Sequence, residues 1–284
     1  MKYLSIAQTA ERWGISTRRI QILCGEGRVP GAIRIGSVWG IPEDAEKPAD
    51  ARIRKSITHE EYENAKKEKW NVLLTPTKYV PHEWFGELRG KNLLGLASGG
   101  GQQIPIFSEL GACCTVLDYS TAQCDSERLL ADKEGYEVNV VQADMSKALP
   151  FDDETFDIIF HPVSNCYVEE VKPIFKECYR ILKKGGILLC GLANGFGYIF
   201  DETECNIKYR LPFNPLKDPV AYEDSIKNDW GITFSHTIEE QIGGQLEAGF
   251  VLTNLYEDTS GSGMLHEYNV PTYIATRSIK QIPV

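Results

Sequence analysis

Four short stretches of this chain set glycines, carboxylates or a histidine directly behind apolar runs, where side chains can meet a ligand. Ala97-Ser98-Gly99-Gly100-Gly101-Gln102 closes the run Asn92–Ala97. Glycines there let the backbone turn sharply and approach a ligand closely, although a tight strand-to-helix turn alone also favours them. Leu117-Asp118-Tyr119-Ser120 closes the next run, and a carboxylate at Asp118 can accept hydrogen bonds from both hydroxyls of a ribose. Asp118 stands nineteen residues beyond Gly99, close to the ~20 of nucleoside-binding strand–helix–strand units, and could equally cap the helix that follows. In Gln142-Ala143-Asp144-Met145 the aspartate can accept from an adenine amino group while the methionine offers the ring an apolar surface. His161 ends the run Phe156–His161 and is the one histidine so placed, a candidate base as well as a structural residue. A dinucleotide fingerprint counted from Gly99 needs glycine at position 104, where the chain has Ile104, so an NAD(P)-dependent oxidoreductase is disfavoured.

These stretches need a frame that brings them to one edge. Strands are expected at Asn92–Ala97, Cys113–Leu117, Glu137–Gln142, Phe156–His161 and Ile187–Gly191, with helices near Gln103–Leu110, Thr121–Lys133 and Val171–Leu182. Strands separated so regularly by helices argue for an α/β fold with a doubly wound, mostly parallel sheet, whose ligands sit at the carboxyl ends of the strands. Ahead of the sheet, Thr58-His59-Glu60-Glu61 reads as a capping box opening a charged helix that runs towards Trp70. The segment from Trp70 to Phe85, with Thr75 and Thr77, then leads in, either as a lid or simply packed on the sheet. The stretch of about 194–235, rich in Tyr, Phe, Asp and Pro, is a long insertion before the next strand.

Together these stretches resemble the class I S-adenosylmethionine-dependent methyltransferases, particularly the small-molecule branch related to quinone-biosynthesis enzymes. The likeness runs from about Gly90 to Ala193 and resumes at Glu247-Ala248-Gly249-Phe250 and Tyr273-Ile274-Ala275-Thr276-Arg277, which look like the sixth strand and the antiparallel seventh. It implies a seven-stranded Rossmann-like sheet and S-adenosylmethionine as cofactor. Ala97, Gly99 and Gly101 would line its methionine part, Asp118 the ribose, and Asp144 with Met145 the adenine, with Tyr119 also among the cofactor-binding positions; His161 would stand between the sulfonium and the acceptor. Two positions depart from the pattern. Gly95 occupies the place of an acidic residue that normally helps order the cofactor's amino group, and Ala97 replaces the first motif glycine. Methyl transfer needs alignment and exclusion of water more than acid–base machinery, so the lack of a triad or metal cluster is no obstacle. Enzymes that methylate DNA amino groups carry an Asp/Asn-Pro-Pro-aromatic run after the fourth strand. His161-Pro162-Val163-Ser164 stands there instead, so a small organic acceptor is preferred.

The first 48 residues form a separate module. Ser5-Ile6-Ala7-Gln8 reads as a capping box, Ile6, Ala10 and Trp13 share a helical face, and Gly14 stops the helix. Ser16 can cap a second helix with Ile20, Leu23 and Cys24 buried, and a hairpin follows through Ile33-Arg34-Ile35, Gly36-Ser37 and Val38-Trp39. This order resembles the winged helix-turn-helix of excisionase-like DNA-binding domains. The resemblance implies major-groove contacts from Thr17, Arg18 and Gln21 and phosphate contacts from Arg19, Arg28 and Arg34 on double-stranded DNA. Tight binding by so small a module calls for a homodimer; a retained fold used for protein contacts is the alternative.

Charge follows the same division. The chain of 284 residues carries −10 overall, whereas residues 1–57 hold ten Lys/Arg against six Asp/Glu. Residues 49–57 are the expected linker and 58–284 the large domain. Eight scattered cysteines without a C-x-x-C pair suit reduced thiols in the cytoplasm rather than a metal site. No apolar run is long enough for a membrane span, and the N-terminus lacks the pattern of a secretory signal. A transcription regulator whose large domain only senses S-adenosylmethionine or a metabolite is the second functional reading.

Overall fold

A computed structural model describes residues 2–14, 17–25, 29–36, 38–47, 56–201, 203–228 and 230–282, without the side chains of Arg18, Arg19, Ile22 and Ile35. The expected cap Ser16, Arg28, Ser37 and most of the linker lie outside the described residues. The chain divides into two compact units, Met1–Ile53 with Asn214–Thr233, and Arg54–Phe213 with Phe234–Val284. The expected insertion is therefore split between them.

In the first unit, β1 (Tyr3–Ser5) leads directly into α1 (Ile6–Trp13). Ser5 Oγ accepts from Gln8 N at 3.3 Å while Ser5 N donates to Gln8 Oε1 at 2.9 Å, so the capping box forms. Gly14 ends the helix at φ +67°, its N–H donating to Ala10 O. α2 (Thr17–Gly25) buries Ile20, Leu23 and Cys24 against Val29 and Ile41, with Ile6, Ala10 and Trp13 packed alongside. β2 (Ile33–Ile35) and β3 (Val38–Pro42) make the hairpin. β1 adds to β3 as a third antiparallel strand, a pairing that three residues next to a helix cap do not advertise.

The second unit is built on seven strands: β4 (Asn92–Leu96), β5 (Cys113–Asp118), β6 (Val138–Gln142), β7 (Phe156–His161), β8 (Leu182–Ala193), β9 (Phe250–Asp258) and β10 (Tyr273–Lys280). Their order is β6-β5-β4-β7-β8-β10-β9; the first five run parallel and β10 is antiparallel to both neighbours. This is a Rossmann-like α/β fold with a seven-stranded, mostly parallel sheet. The strand order reverses between β4 and β7, so the crevice at that switch lies between the turn after Leu96 and His161. α4 (Ile104–Glu109), α5 (Thr121–Glu134) and α6 (Lys172–Ile181) are the crossovers. Both faces are apolar: Leu94, Leu96, Ile159, Phe175 and Leu188 pack on one side, Leu93, Phe107, Val116, Phe160 and Leu189 on the other.

Two sequence expectations shift. α3 (His59–Ala65) begins at its Thr58 capping box but stops well short of Trp70, because Glu68 takes φ +58° and breaks the helical path. β8 has twelve residues against the five expected, because it starts at Leu182, which pairs with Phe156, and its pairing with β10 carries it past Gly191 to Ala193. Among the described residues no helix is long and apolar enough to cross a membrane.

Candidate active site

The turn after β4 is held from two sides. Ala97 adopts φ +48°, the left-handed region that glycine enters freely, and its N–H donates to Leu117 O at 2.7 Å. Gly99 N donates to Asp118 Oδ2 at 3.1 Å, and Ser120 N to Asp118 Oδ1 at 2.9 Å. The half-buried Asp118 therefore ties the glycine turn to the end of β5 while keeping further lone pairs. A Cβ at Gly95 would stand 2.6 Å from Ile104 Cδ1, so a side chain there requires Ile104 to shift. The missing carboxylate is thus replaced by an apolar contact between strand and helix.

Behind the turn lies a carboxylate the motif reading missed. Glu127 on α5 is fully buried, accepts from Gly101 N at 2.6 Å through Oε2 and from Tyr136 OH at 2.8 Å through Oε1. Burial pushes its pKa up to about 7 against the pull of those two donors. Ile57 N donates to Gly101 O at 2.8 Å, so the same glycine is clamped through both backbone groups. The available signal was a glutamate on the buried stripe Cys124, Glu127, Leu130, Ala131 of an amphipathic helix.

At the end of β6, Ala143 N donates to Asp118 O, which brings Asp144 beside the same edge. Asp144 Oδ1 accepts from Ser146 N at 2.8 Å. Met145 packs into the hydrophobic core at 7% exposure, whereas Tyr119, 75% exposed, stands open next to Asp118.

His161 is fully buried, and neither ring nitrogen is spare. Nδ1 lies 2.9 Å from Leu96 O and Nε2 lies 2.7 Å from the Asn165 carboxamide at Oδ1. Leu96 O can only accept, so Nδ1 carries the proton. Burial lowers the His161 pKa and disfavours a second proton, although both hydrogen bonds oppose the shift. Nε2 is therefore an acceptor, and Asn165 Nδ2, buried without a partner among the described residues, is the group that suits it after a half turn of the carboxamide. In this arrangement His161 positions the turn and the β7 loop and offers no free base.

The run-in crosses the same end of the sheet. Val163 N donates to Leu74 O at 3.2 Å. Asp258, at the end of β9, accepts from Thr77 N at 2.8 Å and Lys78 N at 3.0 Å, and from the Thr77 hydroxyl. Burial alone would raise the Asp258 pKa; those donors outweigh it and hold it at about 2.

The structure thus gathers Ala97, Gly99, Gly101, Asp118, Tyr119, Asp144 and His161 along one edge of the sheet and leaves the Met145 side chain in the core. In the first unit Thr17 and Gln21 are exposed on α2, and exposed Arg34 lies 5.8 Å from the Trp39 ring centroid. The Arg18 and Arg19 side chains lie outside the described residues.

Comparison with known proteins places this edge in context. Residues 94–190 match the family described as Methyltransferase domain. An uncharacterized methyltransferase of Bacillus subtilis, YbaJ, is 40% identical over 79% of this chain and 90% of its own length. The ubiquinone/menaquinone biosynthesis C-methyltransferase UbiE of Pectobacterium atrosepticum is 27% identical over 65% of this chain and 76% of its own. Among solved structures, an S-adenosylmethionine-dependent methyltransferase from Mesorhizobium loti superimposes with a TM-score of 0.54 at 19% identity, over 69% of this chain and 94% of that one.

Proposed function

Because the chain belongs to the class I S-adenosylmethionine-dependent methyltransferases, we propose that it methylates a small organic molecule, with the cofactor held at the β4–β5 edge. The bound cofactor supplies a methyl group already activated on a sulfonium. The chain's task is to orient it and exclude water. Asp118 carries this reading: its carboxylate anchors Gly99 N and retains the lone pairs a ribose diol needs, so the turn and the ribose acceptor move as one. Ala97, Gly99 and Gly101 would follow the methionine moiety, Tyr119 and Asp144 the adenosine, and Met145 would support Asp144 from the core.

The test is a thermal shift with S-adenosylhomocysteine. At ~100 times the dissociation constant binding stabilises by roughly 2.7 kcal/mol, a rise of about 5–10 °C for a domain of this size. Asp118→Ala removes two charge-assisted contacts and is expected to weaken binding by about 100-fold. An absent shift in the wild type at millimolar ligand sinks the site assignment; an unchanged shift in Asp118→Ala sinks only the ribose role.

For the first unit the proposal is a winged helix-turn-helix that binds duplex DNA as a homodimer, supported by the α1–Gly14–α2 order and by Arg34 exposed on the hairpin. Binding should weaken with salt, and Arg34→Ala should reduce the slope of log affinity against log salt by about 0.9. A gel-shift titration that finds no binding at low salt points instead to protein contacts.

A further inference from the structure

We propose that His236 is the base that takes the acceptor's proton, and that the acceptor is a phenolic or enolic hydroxyl; this rests on the small-molecule methyltransferase reading. His236 is only 5% exposed, and its Nε2 lies 3.0 Å from Asn165 O. A backbone carbonyl only accepts, so Nε2 carries the proton and, in the neutral ring, Nδ1 holds the lone pair. Among the described residues the hydrogen bond of the His236 ring is the one through Nε2, and none is made to Nδ1. The tautomer is thus set for a proton acceptor, which His161 is not.

Its place in the fold is fixed by its own backbone. Gln241 Nε2 donates to Ala193 O at 2.7 Å and to His236 O at 3.3 Å, binding the residue to the end of β8. Asn165 belongs to the loop after β7 and also meets His161, whose other nitrogen reaches Leu96 O beside the glycine turn. One polar path therefore runs from the turn after β4 through His161 and Asn165 to His236. On the far side Ser235 N donates to Phe213 O, and Phe213 packs against Tyr209 at 5.2 Å and Tyr198 at 5.3 Å between ring centroids.

The chemistry of this end selects the acceptor. Its buried polar side chains Ser164, Asn165, Ser235, His236, Gln241 and Thr272 are uncharged, and the buried carboxylate of Asp258 is taken up by Thr77 and Lys78, so none of them offers a free carboxylate to an ammonium. The titratable groups on the adjoining elements include His161, Cys166, Tyr198, Lys208, Tyr209, Glu239, Glu240, Asp258 and Tyr273. Glu240 is turned back to cap Thr237 N at 2.8 Å, and Glu239 is exposed. In the step, an acceptor oxygen bonds to the methyl carbon as the carbon–sulfur bond breaks. That bond's electron pair stays on sulfur as a neutral thioether. The hydroxyl proton moves to Nδ1, the imidazolium keeps donating Nε2–H to Asn165 O, and it then releases the proton to solvent.

His236→Gln tests this, because the glutamine amide nitrogen can replace the Nε2–H donor to Asn165 O but supplies no ring acceptor. With catechol as acceptor, kcat should fall by about 10²–10⁴ and the acidic limb of the pH–rate profile should vanish, with KM unchanged. Stabilisation by S-adenosylhomocysteine should also stay unchanged. With 4-nitrophenol, already ionised at neutral pH, the loss should be much smaller. Nitrogen NMR of the histidine-labelled wild type should place the neutral-ring proton of His236 on Nε2. A proton on Nδ1, or a variant within about threefold of wild type on catechol, overturns the base. A wild type that binds S-adenosylhomocysteine but turns over neither phenol overturns the hydroxyl acceptor. A wild type that does not bind S-adenosylhomocysteine fails at the underlying reading instead.

Discussion

Gly191→Ala is expected to lower the unfolding free energy by about 3 kcal/mol, and the melting temperature by roughly 6–12 °C. The added Cβ would stand 2.0 Å from Leu74 O and 2.8 Å from Leu74 C, both backbone atoms that cannot rotate away. Relief requires moving Leu74 off β8, which breaks the hydrogen bond from Val163 N and loosens the segment that Thr77 and Lys78 tie to Asp258. Leu74 is itself 2% exposed, so the displacement also opens apolar surface. Gly197→Ala is the control: its Cβ would meet only Thr272 Cγ2 at 3.8 Å, an ordinary contact, and its effect should stay within about 0.5 kcal/mol. Urea unfolding of both variants measures the difference. Equal stabilities would mean that the strap yields at no cost.

The second large effect is on pH dependence. Glu127 titrates at about 7 in the folded chain, against an ordinary 4.5, because burial penalises its charge. The folded state therefore binds this proton more tightly than the unfolded one. Its contribution is fully present below about 4.5, declines as pH rises, and is lost by about 7, a change on the order of 3 kcal/mol. Paired carboxylates such as Asp258 act in the opposite direction at lower pH, so the effect is read against Glu127→Gln, which keeps the shape and cannot ionise. The wild type should lose about 3 kcal/mol relative to the variant between pH 4.5 and 8 in urea unfolding. A difference that does not change with pH would mean that Glu127 stays charged beneath Gly101 throughout.

Glu127 also shows where reading along the chain runs out. Strand-like runs alternating with helical ones were visible because an apolar period survives in any tertiary setting, so β4 to β8 and their crossovers fall close to where the sequence puts them. Asp118 was visible for the same local reason, since it ends a strand at a set interval from a glycine turn. Glu127, by contrast, matters through Gly101, twenty-six residues earlier, and its signal is only a charge on a buried stripe. His236 lies in a segment without a period, and what singles it out is Asn165 O, seventy-one residues away.

The sequence by itself determined the parallel sheet, the glycine turn with its carboxylates and the likeness to methyltransferases, all of which rest on periodicity and short spacings. Tertiary structure alone decided that His161 is a satisfied link while His236 keeps a free ring nitrogen. It also placed Met145 in the core and packed Ile104 against Gly95. The physical reason is common to all four: whether a polar atom is spent or available, and whether a side chain has room, depends on hydrogen-bond partners and packing that only folding brings together.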